Sequence, residues 1–318
     1  MAKQVLDFLR MRDGFVSGEE ISRELGISRS AVWKHIAHLR AGGYVIEAVP
    51  HLGYKIITIP DKLLPDEVSY NLNTKVIGKK IFYYDTLTST MDVAFDLGLK
   101  GSPEGTVVFA ESQTKGRGRM GRSWFSPKNK GIYFSFILRP EFLPQEAPKV
   151  TLMAAVSIAE AIKKLTGLSV LIKWPNDIMA GGKKLSGILT ELNAEADKIK
   201  FINIGVGVNV NVSKSFLPKE GTSLKEELKR EVSRIDLAKE ILRSIEENYL
   251  SLKKDGFKPI LEKWKAASFI LGRRIEIRSH DKIIQGEAQD IDLDGALLVR
   301  RDTGFIEKVL SGDVINIR

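Results

Sequence analysis

The chain has 318 residues, of which 43% are hydrophobic and 28% are charged, with a formal net charge of +9 and no cysteine. The length predicts two or three domains, and the lack of cysteine excludes disulfides, thiolate metal sites and a cysteine nucleophile. The first residues do not read as a signal peptide, and no apolar run is long enough to span a bilayer, so we expect a cytoplasmic protein with no membrane partner. The positive charge suits anionic partners without naming one.

Residues 1–60 are predicted to form a winged helix-turn-helix domain. Ser17 with Glu20 is a capping-box pattern that starts the second helix, and Gly26 ends it. A third helix follows after this short turn, and two β-rich runs around a proline–glycine turn then predict the wing.

The third helix is expected to present its polar side chains to DNA. The helix-turn-helix spans 18–41, and its candidate DNA contacts are Arg29, Ser30, Trp33, Lys34 and Arg40. These side chains can contact phosphates and base edges. A helical protein-interaction module is the alternative, but helix, turn, helix and wing in succession favour DNA binding.

A proline-bracketed linker leads to a central domain predicted over 66–268. Strands are predicted at 80–84, 106–111, 132–138, 168–173, 178–180, 183–192 and 201–210, with helices at about 90–99, 149–165, 236–252 and 257–267. This alternation predicts an α+β domain built on a mixed sheet, with helices on one side. The multidomain α+β chain then ends in a third domain.

Residues 269–318 change to short strands separated by polar turns. The strands are predicted at 274–278, 283–291, 296–301, 305–310 and 314–317, and the first turn at 279–281. Five short strands of this kind predict a small, SH3-like β-barrel.

The segment Gly116 to Arg122, here called the glycine–arginine loop, alternates three glycines with three arginines. Glycine permits close approach of a ligand, and each arginine offers a planar fork of donors for phosphate or carboxylate. The loop is therefore expected to be mobile when empty and to order around an anion. Taken alone, the pattern favours a solvated basic turn or an arginine–glycine segment that contacts nucleic acid.

The rest of the chain contains no nucleophile elbow, no metal-ligand spacing, no convincing carboxylate pair and no Walker-type phosphate loop. What remains is a set of cations: the glycine–arginine loop, Lys173, Lys183 and Lys184. Cations that stabilise developing negative charge are typical of phosphoryl or nucleotidyl transfer.

Five motifs occur in an order and at a spacing that resemble the biotin protein ligases. They are Ser89-Thr90, the run 113–124, the Lys-Trp-Pro-Asn-Asp motif at 173–177, the run 184–189 and the Gly-Val-Gly-Val-Asn motif at 205–209. With the winged helix added, the whole chain resembles the members of this family that also repress the biotin operon.

The resemblance implies an ATP-dependent ligase with ATP, biotin and Mg²⁺ as cofactors. Biotin and ATP would give biotinyl-5′-adenylate, which then acylates a lysine of a biotin carboxyl carrier protein or of the carrier domain of acetyl-CoA carboxylase. The same resemblance implies a repressor of biotin genes that binds operator DNA as a ligand-induced homodimer, with biotinyl-5′-AMP as corepressor.

The resemblance also assigns residues. Lys184 and Arg119 would be catalytic. The biotin site would comprise Ser89, Thr90, Met91, Gln113, Arg117, Gly118, Arg119 and Lys184. The nucleotide site would comprise Arg119, Arg122, Trp124, Asn176, Asp177 and Asn209. No separate metal site is implied, because Mg²⁺ would arrive with ATP, near Asp177.

Two positions depart from the family pattern. Met91 stands where relatives often have asparagine, and the loop 213–222 lacks the tryptophan that covers adenine in some relatives. Local structural roles also remain open: the Ser89 and Thr90 hydroxyls would cap a helix, Asn176-Asp177 would form a turn, and Asn209 would cap a strand. The alternatives for the whole chain are a ligand-sensing transcription factor without ligase activity and a ligase for a related acid such as lipoate.

Overall fold

A computed structural model describes residues 1–195, 197–279 and 282–317, so the predicted turn at 279–281 lies mostly outside the described residues. The chain divides into two compact units, Met1–Lys62 and Leu63–Arg318. The finer boundaries at 60, 66 and 269 stay predictions. In the described part of the chain, no helix is both long and apolar enough to cross a membrane.

The first unit is the predicted winged helix-turn-helix. It contains helices α1 (Ala2–Arg10), α2 (Gly18–Leu25) and α3 (Arg29–Ala41) and the antiparallel hairpin of β1 (Val45–Val49) and β2 (Gly53–Thr58). Ser17 Oγ accepts the Glu20 N–H at 3.0 Å, and Gly26 ends α2 in the left-handed region with φ 64°. The Ser17 cap and the glycine stop therefore set the two ends of α2 where the sequence predicted them.

The second unit begins with a mixed seven-stranded sheet, which confirms the prediction. Its elements are α4 (Pro65–Ser69), β3 (Ile81–Tyr84), α5 (Thr90–Leu99), β4 (Val107–Ala110), β5 (Gly131–Leu138), α6 (Ala147–Thr166), β6 (Leu171–Lys173), β7 (Asp177–Ala180), β8 (Lys183–Ala194), β9 (Ile199–Asn209), α7 (Leu224–Leu228), α8 (Arg234–Asp255) and α9 (Lys258–Ala266). The strand order is β3-β4-β5-β9-β8-β7-β6, with β3 and β4 parallel and the other neighbours antiparallel.

Helices cover both faces of this sheet, so the expectation of helices on one side is wrong. On β4, Val107 and Phe109 join the core formed with α6 and α8, whereas Val108 packs with Ala94 of α5 on the other face. Every residue of β5 is buried, as expected for a strand that is covered on both sides. The short helix α5 therefore lies opposite the long helices.

A five-stranded antiparallel sheet closes the chain and confirms the predicted C-terminal all-β fold. It consists of β10 (Arg274–Ser279), β11 (Lys282–Ile291), β12 (Leu297–Arg300), β13 (Ile306–Val309) and β14 (Asp313–Ile317), in the order β13-β12-β11-β10-β14. Register shifts interrupt the β11–β12 and β10–β14 pairings. Such irregularities bend strands and increase twist, which suits a small curled sheet.

A buried ion pair ties the start of the second unit to its core. Glu111 follows β4, Arg234 begins α8, and both side chains are fully buried with 2.6 Å between Oε2 and Nη1. Arg234 also donates to the Gly131 carbonyl at 3.0 Å, and the other Glu111 oxygen accepts the Leu63 N–H at 2.8 Å. The charges are thus paired and further hydrogen-bonded, which offsets the cost of removing them from water.

We expect Glu111→Ala to destabilise the second unit by about 3–5 kcal/mol, because it leaves a buried arginine uncompensated. The measurement is urea denaturation of the full chain, followed by the fluorescence of Trp174 and Trp264, both of which are buried. The control is Asp302→Ala, which removes an exposed ion pair with Arg274 and should change little. Equal unfolding midpoints for the two variants would contradict the prediction.

Candidate active site

The structure gathers the predicted biotin and nucleotide residues around one cleft of about 110 Å³ in the second unit. The predicted residues that line it are Ser89, Thr90, Met91, Gln113, Arg117, Gly118, Arg119, Arg122, Trp124, Asn176, Asp177 and Lys184. They come from the start of α5, the glycine–arginine loop and the neighbouring strands β7 and β8. Asn209 is the one predicted site residue of the second unit that does not line the cleft.

The floor of the cleft is formed by the backbone of two glycines, which have no side chains. Gly187 of β8 and Gly207 of β9 are cross-strand partners, and the Trp124 indole lies directly on them. A Cβ on Gly207 would stand 2.4 Å from the indole, and one on Gly187 would stand 3.0 Å from it. Only glycine allows a flat group to approach the two strands this closely.

One end of the cleft is a chain of hydrogen bonds. Gln113 Oε1 accepts from the Thr90 N–H at 2.8 Å and from Thr90 Oγ1 at 3.1 Å, while Gln113 Nε2 donates to Ser126 Oγ at 3.0 Å. Ser135 Oγ in turn donates to Thr90 Oγ1 at 2.8 Å. The Ser89 hydroxyl caps α5 by accepting the Met91 N–H at 3.3 Å. This end offers polar atoms that are already held in place.

Sequence reasoning missed Ser126 and Ser135. Ser135 is the only polar residue among the apolar positions of β5 between Ile132 and Leu138, and it is fully buried. Since a buried hydroxyl needs a partner, its place in an apolar strand was a usable signal. Ser126 gave no such signal, because it lies in the irregular segment between the glycine–arginine loop and β5.

Met91 lies beneath this polar end. The side chain is 3% exposed, and a Cβ on Gly205 would stand 2.4 Å from its sulfur. Asn203 Nδ2 donates to the Met91 carbonyl at 2.9 Å. Met91 therefore fills the space over Gly205 with its thioether, and its backbone is bound from below.

Lys184 lies at the opposite end of the cleft. Its Nζ lies 2.6 Å from Asp177 Oδ1 and 5.5 Å from the centre of the Trp124 ring. The β7–β8 pairing shifts register at this point, which turns the lysine toward the cleft. Its backbone N–H donates to Glu220 O at 2.7 Å, and its carbonyl accepts the Thr222 N–H at 2.9 Å. The loop 213–222 thus holds the backbone of Lys184.

Lys173 is a second lysine near this end, in the Lys-Trp-Pro-Asn-Asp motif. Burial is the main cause that lowers the pKa of its amine, and the like charges of Lys184 and Arg122 lower it further. The carboxylates of Asp177 and Asp313 oppose the shift. The amine therefore loses its proton at a lower pH than an exposed lysine would, and an anion beside it would strengthen its protonation.

The three arginines of the glycine–arginine loop are all paired with carboxylates from other segments. Arg117 Nη2 lies 2.8 Å from Glu191 Oε1 and 3.1 Å from Asp92 Oδ1. Arg119 and Arg122 both contact Asp313, at the start of β14. Asp313 is a cleft residue that the sequence analysis missed, because nothing in the chain around it marks a site.

Asn176 and Asn209 take up mainly backbone contacts. Asn176 Nδ2 donates to Ile188 O at 2.7 Å, while its Oδ1 accepts from Arg119 at 3.2 Å and so faces the cleft. Asn209 Nδ2 donates to Thr222 O at 3.0 Å. Asn209 therefore anchors the loop that holds Lys184. This role is close to that of a strand cap, the alternative considered for Asn209.

The first unit has a separate polar face on α3. Arg29, Ser30, Trp33 and Lys34 are exposed, with Trp33 at 62%. Arg40 is exposed as well, and its Nε and Nη2 both donate to the Ile46 carbonyl, at 3.1 and 2.6 Å. Its guanidinium is thus engaged in holding α3 to the wing.

In the part of the chain that the structure describes, no group of three histidine, cysteine, aspartate or glutamate side chains is arranged to hold a metal. A winged helix-turn-helix and a cation-lined cleft on a glycine floor together define a DNA-binding protein with a nucleotidyl-transfer type of site.

Comparison with known proteins identifies the family. The model of the biotin/lipoate A/B protein ligase family matches residues 83–209, a helix-turn-helix domain matches 2–55, and the biotin protein ligase C-terminal domain matches 270–315. The chain is 40% identical to the bifunctional ligase/repressor BirA of Bacillus subtilis (strain 168), over 96% of this chain and 95% of that protein. It is 32% identical to the Escherichia coli (strain K12) protein of the same name, over 94% and 92%.

Among solved structures, the biotin protein ligase from Aquifex aeolicus in complex with biotin and ATP is similar, with a TM-score of 0.65 and 30% identity. The match covers 76% of this chain and 99% of that one. The chain belongs to the biotin protein ligases and, within them, to the bifunctional BirA ligase/repressors. The family inferred from the sequence motifs is thereby confirmed.

Gly207→Ala is expected to push the Trp124 indole off the floor, since the new methyl would stand 2.4 Å from the ring. Two changes should follow: altered tryptophan fluorescence in the empty protein and a large loss of ligand affinity, measured by calorimetry with biotin. The control is Ile204→Val on the opposite face of β9, which leaves the indole untouched. Native fluorescence and native affinity in Gly207→Ala would show that the close approach is not required.

Proposed function

We propose that this chain joins biotin to a carrier lysine at the expense of ATP, and that the biotinyl-5′-adenylate it makes is the corepressor that controls its DNA binding. The observation that carries this proposal is the two-ended cleft: a prearranged polar end at Gln113 and Thr90, a glycine floor, and a cationic end at Lys184 and Arg119. Biotin has the matching shape, with a polar ureido head, an apolar ring and chain, and a terminal carboxylate.

The head group would bind at the polar end. Thr90 and Gln113 are already hydrogen-bonded to each other and to Ser126 and Ser135, so little ordering is needed when a ureido group exchanges with one of these bonds. The ring and valeryl chain would lie against Met91 and beside the Trp124 indole, which covers Gly187 and Gly207. The biotin carboxylate would then reach Lys184.

Adenylation would take place at the cationic end. A biotin carboxylate oxygen attacks the α-phosphorus of ATP, the bond between that phosphorus and the β-phosphate bridging oxygen breaks, and pyrophosphate leaves. Lys184 would shift from Asp177 to the carboxylate and the α-phosphate, where negative charge builds, and Arg119 would bind the same phosphate. Mg²⁺ would arrive as the MgATP substrate, with Asp177 as the nearby carboxylate.

The nucleotide would lie between the Lys-Trp-Pro-Asn-Asp turn and the loop 213–222. Asn176 and Trp124 face the cleft, and Arg122 is available for the phosphates. Phe216, 63% exposed, is the aromatic residue that this loop offers as a cover for adenine in place of tryptophan. Because the loop also holds the Lys184 backbone, adenine binding there would help to fix the catalytic lysine.

In the second step, the lysine amine of a biotin carboxyl carrier domain, such as that of acetyl-CoA carboxylase, attacks the carbonyl carbon of the mixed anhydride. An amide bond forms, the bond from that carbon to the phosphate oxygen breaks, and AMP leaves with the negative charge that Lys184 and Arg119 would neutralise. The chain thus needs cations and positioning and no nucleophile of its own.

DNA binding would use the exposed face of α3. Arg29, Lys34 and Ser30 would contact phosphates, with Arg29 leaving its exposed ion pair with Glu19, and Trp33 would make an apolar contact with a base. Two such units in a symmetric dimer would read a two-fold operator.

The dimer would form on the free edge of β8. Strand β7 pairs with β8 only as far as Gly187, and Ile188 is bonded to Asn176, so the residues from Leu189 to Ala194 have β9 on one side and no described strand paired on the other. An open edge is a template for another strand. Glu191 in this segment binds Arg117 of the glycine–arginine loop, so ordering of that loop by the adenylate would act directly on the edge.

Lys184→Gln is expected to reduce biotin-dependent exchange of pyrophosphate into ATP by roughly 100-fold or more, because a cation is lost where charge develops. Lys183→Gln is the matched control, since Lys183 is the exposed neighbour on the same strand and does not line the cleft. The assay uses biotin and lipoate in parallel. Exchange by the native protein with lipoate alone would identify a lipoate ligase, and no exchange with either acid would identify a ligand-sensing repressor.

Leu192→Lys is expected to abolish the dimer induced by biotinyl-5′-adenylate, because a charge on an edge strand opposes pairing with a second strand. Sedimentation velocity with and without the adenylate measures the monomer fraction, and pyrophosphate exchange should continue. Leu293→Lys adds the same charge at another exposed leucine and serves as the control. If native and Leu192→Lys proteins give the same monomer fraction with the adenylate, the edge is not the dimer surface.

A further inference from the structure

Two arginines of the glycine–arginine loop share a single carboxylate from the C-terminal sheet. Arg122 Nη2 contacts Asp313 Oδ2, and Arg119 Nη1 lies 3.4 Å from Asp313 Oδ1. Arg119 Nη1 also lies 3.3 Å from the Gly312 carbonyl. The C-terminal sheet thus provides acceptors to a loop that precedes it by about 190 residues.

Asp313 is the fixed partner in this contact. It begins β14, where it pairs with Arg278 of β10, and its side chain is 12% exposed. The turn before it is tightly packed, since a Cβ on Gly312 would stand 2.6 Å from Ile277. The Arg122 side chain, in contrast, is 64% exposed. The loop can therefore move toward or away from the carboxylate, which is held in place by its strand.

The same carboxylate lies among cations that face the cleft. Arg119, Arg122 and Asp313 all line it, and Asp313 acts electrostatically on the buried amine of Lys173. A carboxylate and a phosphate present similar pairs of oxygens to a guanidinium, so one can replace the other at an arginine. In the protein without ligand, the Asp313 carboxylate supplies the negative charge that these cations require.

We propose that Asp313 is a positioning residue that takes the place of the nucleotide phosphates in the empty site. It holds Arg119 and Arg122 over the cleft until the phosphates of ATP replace it as their partner. The proposal rests on the proposed ligase function for the identity of the anion. It makes the C-terminal sheet a part of the adenylation site, although no residue of that sheet is needed to touch biotin.

Two consequences distinguish this arrangement from a merely structural contact. Without the Asp313 charge, the empty loop loses its anchor and becomes more open to cleavage. ATP, on the other hand, no longer competes with an internal anion for the two arginines, so it should bind more tightly and not more weakly. A residue that only supported the fold would weaken both properties together.

The first test uses the empty full-length protein and limited digestion with trypsin, with fragment masses that identify cleavage after Arg117, Arg119 or Arg122. Asp313→Asn should speed cleavage in this loop on the order of tenfold, because protection is lost with the contact. Asp313→Glu retains the charge and should restore much of the protection. Asp302→Asn, an exposed aspartate that pairs with Arg274 in the same sheet, is the control and should match the native rate.

Arg122→Gln removes the same contact from the side of the exposed loop, where a folding defect is not expected. It should also speed cleavage after Arg117 and Arg119. These digestions need neither biotin nor ATP, so they decide whether Asp313 holds the loop even if the protein proves not to be a biotin ligase. A native cleavage rate in both Asp313→Asn and Arg122→Gln would overturn the proposal.

The second test is the KM for ATP in biotin-dependent pyrophosphate exchange. Asp313→Asn should lower it on the order of threefold, with the KM for biotin unchanged, since only the phosphates compete with Asp313. A raised KM for ATP in Asp313→Asn, with Asp302→Asn at the native value, would show that Asp313 supports nucleotide binding and would overturn the proposal.

Discussion

The mutual repulsion of cations in one cleft is the constraint around which this active site is arranged. Arg119, Arg122 and Lys184 line the cleft, Lys173 interacts electrostatically with two of them, and each would be costly to hold there without a counter-charge. Asp177 and Asp313 supply part of that counter-charge, so the empty site keeps a positive balance where it must later accept a polyanion. When substrate binds, the cations exchange protein carboxylates for anionic groups of the substrate. Few of these cations are left without an opposite charge at any stage.

The same arrangement links elements that are far apart in the chain. Asp177 holds Lys184 from the Lys-Trp-Pro-Asn-Asp turn, Asp313 holds two arginines from the C-terminal sheet, and Glu191 holds Arg117 from the free part of β8. Each contact ends at a proposed functional surface: the proposed catalytic lysine, the proposed phosphate site and the proposed dimer edge.

Much of this architecture was predictable because its signals are local. The Ser17–Glu20 pattern, Gly26 and the β-rich runs specify the winged helix within a few residues, and the motifs at 116–122 and 173–177 indicate the site through their resemblance to the biotin protein ligases. What the sequence could not show depends on pairing across the chain. Asp313 resembles any turn aspartate until β14 brings it to the loop, and the bond from Arg40 to the Ile46 carbonyl joins α3 to the wing in a way that no local pattern predicts.

The position of α5 also depends on contacts between distant segments. The sequence shows clearly that α5 is a helix. The face of the sheet on which it packs depends on where β4, β5 and β9 leave space for it. A Cβ on Gly98 would stand 2.5 Å from the Phe201 ring, so this glycine lets the helix lie close to β9. Such a fit between one helix and one strand cannot be deduced from the periodicity of either element.

The Leu63 N–H that binds Glu111 has a consequence for how this chain can be divided. This bond makes Leu63, the first residue of the second unit, part of the buried polar cluster around Glu111. A truncated chain that begins at or before Leu63 keeps the cluster. A truncation a few residues later removes this N–H and leaves a buried carboxylate oxygen of Glu111 without its hydrogen-bond donor. A shortened chain that keeps this cluster must therefore begin no later than Leu63.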